Sequence, residues 1–399
     1  METAKLRAWW AHRQWLDGSA KGAGPAEVLA RTGWARSVGG VNPYLQMFAR
    51  AGVGRAEADT AIADVAVHEL PSARGCVYVL PAADYALGLA VGGAAARAEA
   101  AVCERLGVPR AELDALGERV LGELDAAGGP LDPRALRQRL GDAVRSLGEA
   151  GKRKGVSTTL PVALGLLQAD GAIRRVSLDG RLDRQRYAYA RWSPSPVAAG
   201  GPDPDEAAVE LARRYWAWTG GARPAEFRWF SGFTAARVKA AVAELGLVPL
   251  AAGADDPPLA FPDDAAAYDA FTPPADPAYA LVGWLDGIAL LRRDLPSLLD
   301  AADRDRALGA HRMGGLTDLP AQGIVDRGRL AGLWDYDPEA DAIVWASFGP
   351  PADADALRAA VERTEAFVRD QLGDAKGSSL DAPAKRGPRL AAMRALAEG

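Results

Sequence analysis

The sequence predicts an α+β fold in which three tandem winged-helix (helix-turn-helix) units precede a β-rich C-terminal part. Helix–turn–helix patterns recur in series, hairpin patterns follow the first two, and alternating strand patterns dominate beyond residue 278. We divide the chain into a first winged helix (1–92), a helical linker with a second winged helix (93–193), a third winged helix with an acidic connector (203–278), a β-rich domain (279–372) and a disordered tail (373–399).

The first unit begins with a helix whose apolar residues recur at helical spacing. Trp9 and Trp10 lie on its apolar face, which predicts that both pack in the core. Proline and glycine then punctuate three further helices, at 25–31, 43–51 and 55–64. A strand at 75–80 completes the pattern of three helices followed by a hairpin, which is typical of a winged helix.

The second unit contains the most basic segment of the chain. Its pattern is a helix at 133–140, a helix at 156–169, a strand at 172–176, a wing at 177–184 and a strand at 185–191. Between residues 134 and 191 there are 13 Lys and Arg and 5 Asp and Glu, so the net charge is 13 − 5 = +8. The whole chain carries 47 − 52 = −5, so the remainder carries −13. Such localised positive charge predicts an anionic partner, with double-stranded DNA as the first candidate.

The third unit repeats the helix–turn–helix pattern with helices at 205–218, 224–230 and 234–245. Thr234 is a suitable N-cap and Gly246 a suitable residue after the helix end. The stretch 251–280 has six Asp and no Lys or Arg, which predicts a solvated connector. Strands are then predicted at 280–285, 288–291, 323–325, 329–336 and 342–348, before a closing helix at 356–371.

Composition restricts the possible function classes. Hydrophobic residues make up 49% of the 399 residues, an ordinary value for a globular protein with large cores. We expect no membrane segment, because no apolar run approaches about 18 residues, and no secretory signal, so a cytoplasmic location is the default. Cys76 and Cys103 are expected to be small buried hydrophobic residues, and the three histidines are far apart in sequence. We therefore expect no metal or other cofactor. We also expect the protein to be a monomer.

The candidate DNA-binding residues cluster in the basic segment. Hydroxyls and ammonium groups at a helix start suit phosphate, because free N–H groups and the positive dipole end lie there. The alternative is a solvated charged face. The candidates are Lys152, Arg153, Lys154, Ser157 and Thr158 at the start of the second helix, Arg174, Arg175, Arg181, Arg184 and Arg186 in the wing, and Arg74, Arg237 and Lys239 in the other units.

Six phrases, in order, carry a family resemblance. They are AEVLAR at 26–31, RGCVYVLPAAD at 74–84, ELARRY at 210–215, PAEFRWFSG at 224–232, LAGLW at 330–334 and FGP at 348–350. With these phrases the chain resembles, from about residue 5 to 372, the AlkZ/YcaQ family of winged-helix DNA glycosylases, which act on alkylated and crosslinked DNA. The resemblance implies three tandem winged helices around a concave, positively charged cleft.

The resemblance also implies a catalytic Gln-x-Gln or Gln-x-Asp motif, which falls on Arg36, Ser37 and Val38 of this chain. An arginine has the wrong charge to stabilise an oxocarbenium-like sugar, and a valine cannot orient a water molecule. Glycosylase activity would therefore need a substitute, for which Asn42, Asp59 and Glu69 are candidates.

The loop that follows the motif position has two interpretations. In the first, Gly39 and Gly40 admit a ligand, and Arg36, Ser37, Asn42, Tyr44 and Gln46 contact phosphate or base. In the second, the glycine pair simply makes a turn before the next helix.

Three functions remain open from sequence. The first is a winged-helix DNA-binding protein linked to DNA damage or alkylation repair that lacks the usual catalytic motif. The second is an active glycosylase that excises N7-alkylated or crosslinked guanine with other residues. The third, suggested by the acidic total charge, is an interaction module with no nucleic-acid role.

Overall fold

The computed structural model describes residues 2–197, 200–250 and 256–398. Three units in this part of the chain share one order: a helix, a short strand or bridge, two helices and a hairpin, with one further short helix between the two in the second unit. This order confirms the predicted tandem winged helices. Single 3-10 turns occur at Ala73–Gly75, Ala82–Asp84, Gly141–Ala143, Ala301–Asp303 and Met313–Gly315.

The first unit forms a three-stranded antiparallel sheet in which β3 lies between β1 and β2. The predicted helices are confirmed to within one or two residues, and Gly52 ends the third helix at φ 76°. Trp9 and Trp10 are each 3% exposed, which confirms their place in the core. The elements are α1 (Glu2–Arg13), α2 (Pro25–Thr32), β1 (Ala35–Arg36), α3 (Asn42–Ala51), α4 (Arg55–Ala63), β2 (Val67–Pro71) and β3 (Val77–Pro81).

A long helix, α5 (Tyr85–Arg105), connects the first two units. The sequence pattern predicts a helix only over residues 94–106, because three glycines weaken the helical pattern of the preceding half. Gly92 is required there, since a Cβ at this position would lie 2.2 Å from the carbonyl oxygen of Pro71. By length and composition alone, Ala82–Arg105 would suffice to cross a membrane, a property that the core helices of globular proteins share; 44% of its apolar window is buried in the fold.

The second unit keeps the predicted order with one insertion. Asp132 caps the helix Pro133–Leu140 through its side chain, and an isolated bridge joins Leu131 to Tyr189 beside the two-stranded hairpin. The predicted helix at 156–169 begins later, and a short helix precedes it. The elements are α6 (Arg110–Ala127), α7 (Pro133–Leu140), α8 (Gly148–Arg153), α9 (Thr159–Ala169), β4 (Ile173–Ser177) and β5 (Tyr187–Arg191).

The third unit repeats the same plan, with a bridge between Ala222 and Leu259. Thr234 is confirmed as an N-cap, because its hydroxyl accepts from the N–H of Arg237 at 3.3 Å. Residues 262–270 of the predicted solvated connector are mostly exposed but form a helix, with Tyr268 buried; residues 251–255 of that connector lie outside the described part. The elements are α10 (Pro204–Thr219), α11 (Pro224–Ser231), α12 (Ala235–Ala243), β6 (Val248–Pro249), β7 (Leu259–Ala260) and α13 (Pro262–Ala270).

The C-terminal part contains an antiparallel sheet in the order β13-β12-β11-β8. The predicted strand at 288–291 is wrong, because the side chain of Asp286 caps a short helix there. The elements are β8 (Tyr279–Val282), α14 (Gly287–Leu290), α15 (Leu295–Leu298), β9 (Ala307–Leu308), β10 (His311–Arg312), β11 (Gln322–Asp326), β12 (Arg329–Asp337), β13 (Ala342–Ser347), α16 (Ala354–Phe367), a π-helical turn (Val368–Leu372) and α17 (Pro383–Glu398).

The predicted disorder of the tail is wrong over residues 373–398. Helix α17 packs on β12 and β13, and Met393 is fully buried in the core. Arg386 is 2% exposed and pairs with Asp374, while Arg389 pairs with Asp335. Arg389 therefore neutralises an acidic group of β12, and Arg386 neutralises one in the segment that precedes α17.

The first unit lies at the centre of the packing. One hydrophobic core joins its helices to the C-terminal sheet, and another joins its β-sheet to the third unit. The second unit has its own small core and meets the first through the hairpin. This arrangement brings the wing of the second unit against the strand that carries the motif position.

Candidate functional site

A cavity of about 60 Å³ lies between the sheet of the first unit and the wing of the second. Ser37, His68, Glu69 and Val77 line it from the sheet, with Ile62 beside them. The hairpin supplies the opposite wall, formed by Arg175, Ser177, Arg181, Leu182, Arg184, Gln185, Arg186 and Tyr187. The cavity therefore joins the predicted motif position to the predicted basic wing.

Sheet register explains why Ser37 and Glu69 meet. Strand β3 pairs with β1 on one side and with β2 on the other, so Val79 lies between Ala35 and Glu69. Ser37, two residues after Ala35, is therefore a diagonal neighbour of Glu69 on the same face of the sheet. The N–H of Ser37 donates to the carbonyl of Val77 at 3.0 Å, which extends β1 past its last residue. The hydroxyl of Ser37, itself 2% exposed, donates to Oε1 of Glu69. A carboxylate and a hydroxyl thus face the cavity as a bonded pair.

The other two motif positions are engaged in holding the backbone. Arg36 donates from Nη1 to the carbonyls of Ser37 and Val77, at 3.0 and 2.7 Å, and its guanidinium lies 5.4 Å from the ring of Tyr78. The carbonyl of Val38 accepts from the N–H of Ser379 at 3.0 Å. Neither Arg36 nor Val38 lines the cavity.

Of the three substitute residues, only Glu69 lines the cavity. Asn42 is 2% exposed and donates from Nδ2 to the carbonyl of Arg36 at 2.9 Å. Asp59 accepts from the hydroxyl of Tyr44 at 2.5 Å and lies 3.8 Å from Arg55. Burial raises the pKa of Asp59, against the opposing effect of the Tyr44 hydrogen bond.

The predicted contact set around the glycine pair is wrong for its buried members. Tyr44 and Gln46 are 1% and 0% exposed, so a ligand cannot reach them or Asn42 without unfolding the helix start. Other segments of the same chain pack closely against Gly39 and Gly40. A Cβ on Gly39 would lie 2.5 Å from Cγ of Gln185, and one on Gly40 would lie 2.2 Å from the carbonyl oxygen of Gly377.

The wing is fixed against the first unit by two of its residues. The N–H of Leu182 donates to the Tyr44 hydroxyl at 3.0 Å, and its side chain is buried in the core of the first unit. Arg181 pairs with Asp183 and donates to the carbonyl of Leu372 at 2.9 Å. These bonds hold Arg181 within the fold, and its predicted contact with DNA stays a prediction.

The remaining wing arginines are less constrained. Arg184 and Arg186 are exposed, and Arg184 lies 3.4 Å from Asp179. Arg175 lies 4.5 Å from the ring of Tyr187, and its Nε has no hydrogen-bond partner in the part of the chain that the structure describes. Burial lowers the pKa of the neighbouring Arg174. Arg175, Arg184 and Arg186 therefore place positive charge around the Ser37–Glu69 pair.

The structure does not bring the other predicted residues to this cavity. Lys152 and Arg153 end α8 and Lys154 follows them, so the prediction that they begin the second helix is wrong; Lys152 pairs with Glu149 at 2.7 Å. Ser157 and Thr158 do precede α9, where Thr158 is the N-cap residue without a side-chain cap bond.

Two further predicted arginines are held by neighbours in the third unit. Arg74 stacks over the ring of Trp229 at 3.8 Å. Arg237 donates to the carbonyl of Pro204 and lies 3.6 Å from Asp205. Lys239 is exposed on α12. These three residues belong to a surface other than the cavity lining.

His68 lines the cavity and was not singled out from the sequence. It is 3% exposed, and neither ring nitrogen has a hydrogen-bond partner within the described residues. Its ring packs edge-on against Tyr85 and Trp192. Burial, followed by Arg174 and Arg175, lowers the pKa of His68 to about 3. The signal available in the sequence was its place beside Glu69 in a strand.

We expect His68→Phe to remove an acid-dependent loss of stability. Above the ordinary pKa of 6.5 the imidazole is neutral in both states; between 6.5 and about 3 only the unfolded chain binds the proton. Within that window, each unit by which the pH falls therefore lowers the free energy of unfolding by about 1.4 kcal/mol. Urea unfolding from pH 4 to 8 measures the effect, with exposed His311→Gln as the control. A wild-type-to-variant difference that does not change with pH would contradict this prediction.

The described residues contain no group of three or more His, Cys, Asp or Glu side chains that could hold a metal ion. Both cysteines are free; Cys103 is buried as predicted, whereas Cys76 is only partly buried. The chemistry-bearing groups of the site are therefore the Ser37–Glu69 pair, His68 and the arginines.

These features define a tandem winged-helix protein with an arginine-rimmed cavity between its first two units. A family model described as DNA glycosylase AlkZ-like matches residues 39–367. The chain belongs to this AlkZ-like family, which relates it to DNA repair. The solved structure of the Streptomyces sahachiroi DNA glycosylase AlkZ has the same fold, with a TM-score of 0.69 and 19% identity over 92% of this chain and 96% of that one. No curated protein sequence matches the chain.

Proposed function

We propose that this protein binds alkylated double-stranded DNA along the wing of the second unit and hydrolyses the N-glycosidic bond of the damaged base, with Glu69 as the catalytic carboxylate. The observation that carries the proposal is the position of the Ser37–Glu69 pair in a cavity rimmed by arginines. Family membership supports the substrate class.

The exposed wing arginines supply the DNA contacts in this proposal. Arg184 and Arg186 extend into solvent beside the cavity, where they can meet phosphates of the backbone. Arg175 lies deeper and lines the cavity wall, which suits the phosphate of an extruded nucleotide. The net charge of 13 − 5 = +8 between residues 134 and 191 attracts DNA to this side of an otherwise acidic protein.

The proposed reaction uses the weakened bond of an N7-alkylated guanine. The C1′–N9 bond breaks, and its electron pair neutralises the cationic base as it leaves. The carboxylate of Glu69 stabilises the oxocarbenium-like sugar and accepts a proton from the water that adds to C1′. Ser37 acts as a positioning residue, because its hydrogen bond fixes Oε1 and leaves Oε2 for the reaction. Release of N7-methylguanine from a methylated duplex by the purified protein tests this step.

DNA binding without hydrolysis is the second candidate function. The observation in its favour is that Arg36 and Val38 occupy the motif position, and both are engaged with backbone groups. Binding to the methylated duplex with no release of N7-methylguanine would establish this candidate and reject the first.

We expect Arg184→Gln combined with Arg186→Gln to lower DNA affinity and its salt dependence. Each phosphate contact contributes about one to the slope of log K against log salt, so the slope falls by about two. Fluorescence anisotropy with a duplex at several salt concentrations measures it. The control is Arg110→Gln with Arg119→Gln on α6, where Arg110 pairs with Asp114 outside the cavity. An unchanged slope in the wing variant would contradict the proposed contacts.

A further inference from the structure

A second, larger cavity of about 340 Å³ lies between α5 and α9 and carries no role in the proposed reaction. Small residues on the two helices create the space, and strands β4 and β5 close it on a third side. The small residues in its lining are Gly75, Gly92, Ala95, Ala96, Gly165 and Ala169. Leu89, Leu160 and Leu164 add apolar walls, so most of the lining is hydrophobic.

The polar groups of this cavity are mainly donors. Gln168 is 3% exposed, and its Nε2 has no hydrogen-bond partner among the described residues. The guanidinium of Arg175 interacts with Tyr189, Tyr187 and Glu69, but its Nε lacks a hydrogen-bond partner within the described ranges. Tyr187 and Tyr189 also line the cavity, and each carries a hydroxyl group. Glu99 is exposed. Buried donors that lack partners favour an acceptor supplied from outside the chain.

We propose that this cavity binds a small aromatic carboxylate. The apolar walls suit a flat hydrocarbon body, and the few convergent polar groups are those expected of a ligand pocket. A carboxylate is the acceptor that a guanidinium binds best, because two parallel N–H groups match its two oxygens. An apolar cavity of this size also destabilises an empty protein, so occupancy stabilises the fold.

Arg175 connects this cavity to the candidate active site, because it lines both. A bound carboxylate neutralises a charge that the proposed function assigns to a phosphate of DNA. The aromatic acid therefore weakens DNA binding. This coupling rests on the proposed function, whereas binding of the acid itself does not.

Calorimetric titration of the full-length protein with 2-naphthoate tests the site directly. We expect saturable binding, with the neutral naphthalene-2-carboxamide at least about 10-fold weaker, since it lacks the charge that Arg175 pairs with. Arg175→Gln should remove this preference for the acid and leave the carboxamide unchanged. Failure of naphthoate to bind, or equal affinity for both compounds, would overturn the proposal.

A cavity-filling variant supplies a second arm. Gly165→Leu should abolish naphthoate binding, because the nearest atom to its Cβ is Cβ of Ala96 at 3.9 Å and the rest of the side chain enters the cavity. Gly122→Leu is the matched control, because Gly122 is exposed on α6 and its Cβ would meet no described atom within 4 Å. Binding retained by Gly165→Leu would contradict the location. Its melting temperature, expected at or above wild type, shows that loss of binding is not loss of folding.

DNA competition separates the two proposals. Naphthoate that binds by calorimetry and also weakens duplex binding in anisotropy supports the cavity and its coupling through Arg175. Naphthoate that binds without affecting DNA affinity overturns the coupling and leaves the ligand site supported. A protein that binds naphthoate but no DNA contradicts the proposed function alone.

Discussion

Glu69→Gln should lower the rate of N7-methylguanine release by about 100- to 10,000-fold, the range that a positioned acid–base group contributes. Glutamine keeps the size of the side chain and can still accept from the Ser37 hydroxyl. It loses the negative charge that stabilises the sugar cation and the basic oxygen that takes a proton from water. Single-turnover cleavage of a methylated duplex, with the abasic sites converted to strand breaks, measures the rate.

Two companion variants separate catalysis from binding and from folding. Glu57→Gln changes an exposed carboxylate of α4 outside the cavity and should react at the wild-type rate. Ser37→Ala should cause a smaller loss, because it frees Glu69 to rotate and leaves its charge in place. DNA affinity of Glu69→Gln should equal or exceed that of wild type, since a repulsive charge is gone. Release at the wild-type rate by Glu69→Gln would remove this residue from the reaction.

The sequence predicted the parts of the fold that local signals determine. Prolines at helix starts and glycines after helix ends identified α2, α3, α7 and α11 to within one or two residues. The first half of α5 was missed because Gly92 weakens the helical pattern. Glycine is required at this position because the carbonyl of Pro71, which is distant in sequence, packs against it. Helix α17 was missed because Gly387 and Pro388 interrupt it, while partners far away in sequence hold Arg386 and Arg389.

The candidate site was also predicted only in part from the sequence. The motif position at Arg36, Ser37 and Val38 came from the family resemblance, but sequence alone could not choose among three substitute residues. The choice depends on the register of β1 and β2 on either side of β3, which brings together residues 32 positions apart. Arg181 was predicted from the sequence to contact DNA. Its bonds to Asp183 and to the carbonyl of Leu372 hold it within the fold, and sequence alone could not predict these bonds.

Asp286→Ala should destabilise the protein by about 3 to 5 kcal/mol, the cost of leaving a buried charge without its partner. Asp286 and Arg50 are both fully buried and form a two-pronged ion pair at 2.7 and 2.8 Å. Arg50 also donates to Oε1 of Gln14, and Nε2 of Gln14 donates to the carbonyls of Thr32 and Trp218. One network thus joins α3 to the segment that follows α1, to the C-terminal ends of α2 and α10 and to the C-terminal part.

Urea unfolding followed by circular dichroism measures the loss. Asp114→Ala, which breaks the exposed pair with Arg110, is the control and should change stability by less than about 1 kcal/mol. The double variant Arg50→Met with Asp286→Leu should regain most of the loss, because apolar groups of similar size need no charged partner. It should remain about 1 kcal/mol below wild type, since Asp286 also caps α14.

From the same network we predict how the candidate site responds to a substitution far from it. Helix α3 begins one residue after the Gly39–Val41 loop, so loosening Arg50 releases the helix that orders this loop and the end of β1. Under conditions where Asp286→Ala stays folded, we therefore expect faster hydrogen exchange at the amides of residues 37–46 than at those of α7 in the second unit. Equal changes in both regions would mean that the ion pair stabilises the whole fold and does not specifically order the site.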